Sequence, residues 1–129
     1  MVQVEVSLLP AYQQLARVAS LSQDWDGEAG VPPTSRAVET ARRLIAFIVA
    51  RLGQTAGSRV LPYDISPLGG GGVIVEWRGT QQILSVEIGP DGELAYLHED
   101  RRGAQRAYTE ADTATRPEVL DLAFKTLLT

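Results

Sequence analysis

Three runs near the middle of the chain decide its fold: VIVEWR (73–78), QQILSVEI (81–88) and ELAYLHE (93–99). Each run alternates apolar with polar residues, which is the pattern of an antiparallel strand that buries one face. The turns between the runs fix how the strands pair, because a slip of one residue sends every side chain to the other face. The three runs therefore predict a β-meander.

The second turn has the clearer chemistry. In GPDG (89–92), proline stands where a type I turn needs a fixed φ, and the last glycine supplies the left-handed residue that follows. This combination predicts a three-residue loop with a glycine bulge. Gly89 then faces Glu93, and Ile88 faces Leu94.

The first turn, Gly79-Thr80, suits a two-residue loop with glycine at its first position. It predicts Val75 opposite Leu84. The pairings predicted from the two turns are independent of each other, yet both place the same residues on the inward face of the sheet. That predicted face consists of Val73, Val75, Trp77, Leu84, Val86, Ile88, Leu94 and Tyr96.

The outward face is mixed, and three of its residues, Ile74, Ile83 and Leu97, are more apolar than a freely solvated face requires. Scattered exposed apolar side chains are common, and a shared patch at a dimer or partner interface is the alternative interpretation. Trp25 stands in the loop DWDG (24–27), which lacks the ligand spacing of a calcium loop. Ile74, Ile83, Leu97 and Trp25 form the candidate interface.

Helical patterns surround the meander. The first begins near Ser7, the second begins at Thr34 or Ser35 and ends at Gly53, and the third begins with a capping box at Thr115. Residues 62–67 predict a short edge strand, residues 2–6 a strand or an extended arm, and residues 100–114 a polar connection. We expect a single α+β domain over residues 1–129, with an antiparallel meander of three to five strands and two or three helices packed on one face.

Composition bounds the functional classes. A chain of 129 residues with 44% hydrophobic and 22% charged residues fits one globular domain. The net charge of −4 argues against general nucleic-acid binding, which needs a concentrated basic surface. The lack of cysteine excludes disulfides, thiolate metal sites and a cysteine nucleophile. Since the chain has neither a membrane-span run nor a signal pattern, we expect a cytoplasmic protein without membrane contact.

Candidate chemical residues are few. His98 is the chain's one histidine, so a histidine-rich metal cluster is excluded. The predicted pairing sets His98 opposite Leu84 at the end of the inward row, where local hydrogen bonds satisfy it. The glycines GGGG (69–72) precede a strand rather than a helix, which favours a hairpin loop over a phosphate-binding loop. The sequence predicts no catalytic residue, cofactor or metal site, and it leans against an enzyme.

One enzymatic alternative stays open. Many metal-dependent nucleases hold Mg²⁺ with an aspartate on one strand and a Glu-x-Lys pair on the next. Asp64, Glu76 and Arg78 have a related order, although arginine stands where that pattern has lysine. The alternative is a small metal-dependent hydrolase or nuclease that uses Asp64 and Glu76.

The order of several short motifs resembles that of a widespread family of small bacterial proteins. These motifs are WDG (25–27), Pro32 or Pro33, DISP (64–67), GGV (71–73), EW (76–77), EI (87–88) and DG (91–92). They cover roughly residues 23 to 98, and Glu28-Ala29 and Gly69-Gly70 depart from the family pattern. The family has no established activity, cofactor or catalytic residue. The resemblance therefore implies a bacterial or phage origin and an accessory role inside the cell.

The leading functional hypothesis is a non-catalytic protein-interaction or regulatory accessory module, of an antitoxin-like or defence-associated kind. Its partner is another protein or a second copy of the chain. The hydrolase at Asp64 and Glu76 is one alternative, and a small-ligand sensor, which requires a cleft, is another.

Overall fold

The computed structural model describes residues 6–22, 27 and 30–128. Its elements are α1 (Leu9–Ala19), α2 (Ser35–Ala56), a 3₁₀ turn (Gly57–Val60), β1 (Asp64–Pro67), β2 (Val73–Arg78), β3 (Gln82–Ile88), β4 (Leu94–Asp100), β5 (Ala107–Ala114) and α3 (Arg116–Leu128). The five strands form one antiparallel sheet in chain order. The predicted α+β class is confirmed, and the strand or arm expected over residues 2–6 lies outside the described residues apart from Val6.

The β3–β4 hairpin has the predicted geometry. The Gly89 N–H donates to the Glu93 carbonyl at 2.9 Å, and the Gly92 N–H donates to the Gly89 carbonyl at 2.9 Å. Gly92 has a φ of 88°, the left-handed value that glycine adopts at no steric cost. Ile88 consequently pairs with Leu94.

The predicted register of the β2–β3 hairpin is wrong by two residues. Val75 pairs with Val86 rather than Leu84, and the Gly79 N–H donates to the Gln82 carbonyl at 2.9 Å. Gly79 therefore closes the hairpin, and the loop moves one residue along the chain. A shift of two leaves every side chain on its predicted face, so the expected inward row is retained.

The inward row forms the floor of the core. Trp77 is 0% exposed, and its Nε1–H donates to the Val60 carbonyl at 2.8 Å, so the one polar group of the indole is satisfied. Buried residues of α2 and α3 belong to the same core cluster as the inward strand residues. Tyr96 is partly buried and packs at the margin of this cluster.

Helix α2 begins as predicted and ends later. Thr34 caps it, with its Oγ1 accepting from the Ala37 N–H at 3.0 Å. Gly53 does not end the helix, because Gly57, with a φ of 62°, supplies the left-handed residue that ends it instead. No helix in the described ranges is long and apolar enough to cross a membrane.

Helix α3 begins with the predicted capping box. The Glu118 N–H donates to Thr115 Oγ1 at 3.3 Å, and Glu118 Oε1 accepts from the Thr115 N–H at 3.2 Å. The buried residues of α3 are Val119, Ala123, Thr126 and Leu127, whereas Phe124 is 51% exposed.

The polar connection expected over residues 100–114 contains a strand that the sequence reading missed. Strand β5 pairs with β4 in a register that sets His98 opposite Thr109. Its residues are exposed or half-buried throughout, so it has no apolar alternation. One extra residue on β5 forms a bulge beyond Ala111, since Tyr96 pairs with Ala111 but Leu94 pairs with Ala114.

Gly79 tests the contact between the β2–β3 turn and α3. A Cβ on Gly79 would collide with the backbone carbonyl of Thr126, which cannot rotate away. Gly79→Ala should lower the free energy of unfolding by about 1–3 kcal/mol, as overpacking does. Gly69→Ala is the matched control, because a Cβ there meets no atom within 4 Å. Denaturant unfolding checks both variants, and an equal effect of the two would contradict the packing of α3 on this turn.

Candidate functional site

The outward face of the sheet carries three residues of the candidate interface. Ile74 and Ile83 are half-buried, and Leu97 is 41% exposed. Each of the three has a polar or charged residue on both neighbouring strands. The structure therefore places them on one face but interleaves them with polar side chains. Trp25, the fourth residue, lies outside the described residues.

Ion pairs occupy much of the outward face. Arg78 Nε lies 2.6 Å from Glu76 Oε2, and Arg101 Nε lies 3.0 Å from Glu99 Oε1. The hydrogen bond from Arg101 is the main reason that the pKa of Glu99 falls below its usual value. Much of the acidic charge on this face is thus already paired.

The two edges of the sheet are protected very differently. Beside β1, helix α1 places the Gln14 amide 3.1 Å from Asp64 Oδ1 and 3.4 Å from the Ile65 carbonyl. Strand β1 has only four residues and ends at Pro67, which has no N–H to offer. Edges of this kind resist further strand pairing.

Strand β5, at the other end of the sheet, has eight residues and none of these protections. Among the described residues, no strand or helix covers its far side, and residues 107–110 are all exposed. Tyr108 is 57% exposed and lies on the outward face, where its hydroxyl is 3.5 Å from Glu99 Oε1. A long uncovered edge presents a row of backbone donors and acceptors to another strand.

The two carboxylates of the hydrolase alternative do come together, since Asp64 and Glu76 are direct cross-strand partners. Their oxygens already have partners: Asp64 accepts from Gln14 and Ser66, and Glu76 accepts from Arg78. Within the described ranges, no group of three histidine, cysteine, aspartate or glutamate residues is placed to hold a metal ion. The pair therefore sits in a network of local hydrogen bonds.

A cleft of about 500 Å³ lies between α3 and the inward side of the β3–β5 end of the sheet. Its lining combines polar and charged groups with two large apolar or aromatic side chains. The lining residues are Gln82, Tyr96, His98, Asp100, Arg102, Ala107, Thr109, Leu122 and Lys125. A concave surface of this size with convergent polar groups is the usual form of a small-molecule site.

The floor of the cleft is a buried polar pair. His98 is 7% exposed and Gln82 is 1% exposed, and His98 Nε2 lies 2.9 Å from Gln82 Oε1. Because an amide oxygen only accepts, Nε2 carries the proton in this bond. Burial is the main cause that lowers the pKa of His98, with Lys125 and Arg102 acting in the same direction and Asp100 against them.

Charged groups stand at the rim. Arg102 donates to both carboxylate oxygens of Asp100, with Nη2 2.7 Å from Oδ2 and Nε 3.0 Å from Oδ1. These bonds lower the pKa of Asp100 to about 2, so the pair stays ionised and internally neutral. Lys125, from the last turn of α3, adds a positive charge to this rim.

Sequence reasoning placed His98 correctly at the end of the inward row but missed the cleft around it. The cleft depends on β5 and on where α3 packs, and neither follows from a local motif. One signal was present: the chain has a single histidine and a single lysine, and both lie in this cleft.

No protein-family model matches the chain, and neither does a curated protein or a solved structure. The resemblance to a bacterial family therefore stays a prediction from short motifs. Function is inferred from the geometry of the structure alone.

His98 titration tests the cleft directly, because a single histidine gives one unambiguous imidazole signal in NMR. We expect its pKa below the model-peptide value of 6.5. On acidification the unfolded chain then binds the proton first, so stability decreases as pH falls through about 6.5 and levels off below the folded pKa. His98→Gln should abolish that loss, measured as the free energy of unfolding at about pH 7 and about pH 5.5, above the range in which exposed carboxylates titrate. A midpoint at or above 6.5 would mean that His98 is not buried as described.

Proposed function

We propose that this chain is a non-catalytic protein-interaction module, and that its first interface is the edge of β5, which pairs antiparallel with β5 of a second copy. The observation that carries the proposal is the uncovered eight-residue edge, set against the covered edge at β1. A long edge that no other element covers presents unpaired backbone donors and acceptors, so it is a candidate for pairing.

The sequence of β5 is complementary to itself around Thr109. A two-fold axis at that residue sets Thr109 opposite Thr109, Tyr108 opposite Glu110, and Ala107 opposite Ala111 of the second copy. No like charges face each other, and threonine pairs are favourable across strands. The next residues outward, Arg106 and Asp112, have opposite charges and also face each other.

Neighbouring axes are less favourable. An axis at Glu110 would place two glutamates directly opposite, and an axis at Ala111 would oppose Glu110 to Asp112. An axis at Tyr108 would pair fewer residues within the strand, because Ala107 is its first residue. The axis at Thr109 pairs fewer strand residues than the axes at Glu110 and Ala111, but unlike them it opposes no two carboxylates.

In this pairing each odd-numbered residue faces an odd-numbered residue of the second copy. The inward faces of the two sheets therefore lie on the same side, and so do the outward faces. The outward faces of both copies then form one continuous surface. Leu97 pairs with Glu110 on β4–β5, so Leu97 and Tyr108 of both copies would surround the two-fold axis. That surface, with Ile74 and Ile83 farther out, is the proposed contact for a further protein. We place the module in the bacterial cytoplasm as an accessory protein, antitoxin-like or defence-associated, on the strength of the family resemblance.

Sedimentation over a range of concentrations should show a reversible dimer, twice the 14.0 kDa of one chain. Thr109→Glu should weaken the dimer about tenfold or more, because it sets two carboxylates face to face at the axis. Thr80→Glu is the matched control in an exposed turn and should leave the dimer unchanged. Thermal unfolding of each variant separates lost pairing from lost folding.

The lack of cysteine allows a direct test of the register. Paired residues in an antiparallel ladder have Cα atoms about 4.5–5.5 Å apart, within the range of a disulfide. Thr109→Cys should form a linked dimer under mild oxidation, whereas Glu110→Cys should not. A chain that stays monomeric at every concentration, or a linked dimer from Glu110→Cys alone, would overturn the proposal.

A further inference from the structure

Helices α2 and α3 carry a surface patch that the proposed dimer does not use. We propose that this patch binds an acidic segment of another protein, with two arginines that bind its carboxylates and apolar side chains beside them. The patch consists of Phe47, Arg51, Arg116, Leu120 and Phe124, all of which lie on the two helices. The inference therefore goes beyond the proposed dimer and does not rest on it.

The two helices meet at the ring of Phe47, which is half-buried on α2. The guanidinium carbon of Arg51 lies 3.8 Å from the centre of the ring, and that of Arg116, on α3, lies 5.2 Å from it. Leu120 and Phe124 follow Arg116 at intervals of four residues, so they lie on the same side of α3. Leu120 is half-buried, and Phe124 is 51% exposed. Two cations and three apolar side chains therefore share one surface.

Neither Arg51 nor Arg116 forms an ion pair within the described ranges, although six other arginines do. Those six are Arg42, Arg43, Arg78, Arg101, Arg102 and Arg106. The net charge of the chain is −4, so carboxylates are not scarce. Two neighbouring cations without a carboxylate, in an acidic protein, form a surface that is complementary to a negatively charged partner.

The nearest carboxylates in sequence are bound elsewhere. Glu39 is the one acidic residue of α2, and two arginines of the same helix bind it. Glu118 accepts from the Thr115 hydroxyl at 3.1 Å and from the Thr115 N–H at 3.2 Å, because it closes the capping box. Arg116 is moreover the first residue of α3, where the helix dipole disfavours a cation and favours an added carboxylate.

The contact with Phe47 leaves the binding atoms of Arg51 available. A guanidinium 3.8 Å from a ring centre is close enough to stack its flat face on the ring, and its N–H groups then point outward in its own plane. Two of those N–H groups match the two oxygens of a carboxylate. Because the ring already restrains the side chain, binding costs less entropy than it would for a free arginine.

The patch favours an acidic protein segment over a nucleic acid or a membrane. Both of those polyanions need many clustered cations, and a chain of net charge −4 repels them. A protein segment needs only two carboxylates and an apolar side chain for Leu120 and Phe124. Carboxylates at positions i and i+4 of a helix have Cβ atoms about 5–6 Å apart, which suits two guanidiniums beside one ring.

The experiment selects binders of the full-length protein from a phage-displayed library of random peptides. We expect the selected peptides to combine at least two Asp or Glu residues with an aromatic residue or leucine. The best peptide is synthesised, and its affinity is measured by calorimetry. Its affinity should fall as salt is added, because exposed charge pairs are screened.

Variants locate the contact. Arg51→Gln and Arg116→Gln each remove one charge, and each should weaken binding of the best peptide about tenfold. Phe124→Ala removes exposed apolar surface and should weaken it by a smaller factor. Arg17→Gln removes an exposed cation from α1 and is the matched control, which should bind as the parent does. Thermal unfolding of each variant separates lost binding from lost folding.

The inference is overturned if no peptide is selected, if the selected peptides are not enriched in Asp and Glu, or if Arg51→Gln or Arg116→Gln binds like the parent. It is also overturned if oligothymidylate or phosphatidylserine vesicles bind as tightly as the best peptide. The Thr109→Glu variant, which is altered on β5, should bind the peptide with the parent affinity. Failure of the dimer is therefore distinguishable from failure of the peptide site.

Discussion

The structure depends on one constraint of antiparallel strands, which is that side chains alternate between the two faces of the sheet with a period of two residues. Once the turn at 89–92 sets Ile88 opposite Leu94, the inward face of β3 fixes that of β4. The pairing of each next strand fixes in the same way which residues of β2 and β1, and of β5, face inward. It decides that Tyr108 lies outward on a free edge, and that His98 and Thr109 lie inward beside α3. The positions of the proposed interface and of the cleft therefore both follow from the pairing register of the strands.

Burial of Trp77 fixes which residues of the sheet face inward. The indole has no exposed surface, and its one polar group donates to the Val60 carbonyl, so the 3₁₀ turn before β1 is tied to the centre of the sheet. A slip of one residue would carry a large aromatic group into water and leave a cavity beneath α2, which costs several kcal/mol. The layer formed by α2 and α3 ends before it reaches β5. Where it ends, the inward row continues as Tyr96, His98 and Asp100, and the cleft is formed.

Local chemistry predicted much of this fold and none of the cleft. The turn at 89–92, the cap at Thr34 and the capping box at Thr115 were read correctly, because each depends on residues within one turn. The β2–β3 register was missed because Gly79 contacts the backbone of α3, a contact between distant parts of the chain. Strand β5 was missed because an edge strand that buries little surface needs no apolar alternation. The single lysine and histidine lie far apart in the sequence, and the packing of α3 on β2 and β3 brings them to one cleft.

The pairing of β4 with β5 is the part of the register on which the proposed dimer rests, and nuclear Overhauser contacts measure it directly. The account predicts cross-strand contacts between His98 and Thr109 and between Tyr96 and Ala111, with the Tyr108 ring close to Glu99. Contacts of His98 with Tyr108 or Glu110 would instead indicate a slip of one residue. That result would turn Tyr108 into the cleft and Thr109 to the outward face, and it would contradict the proposed interface.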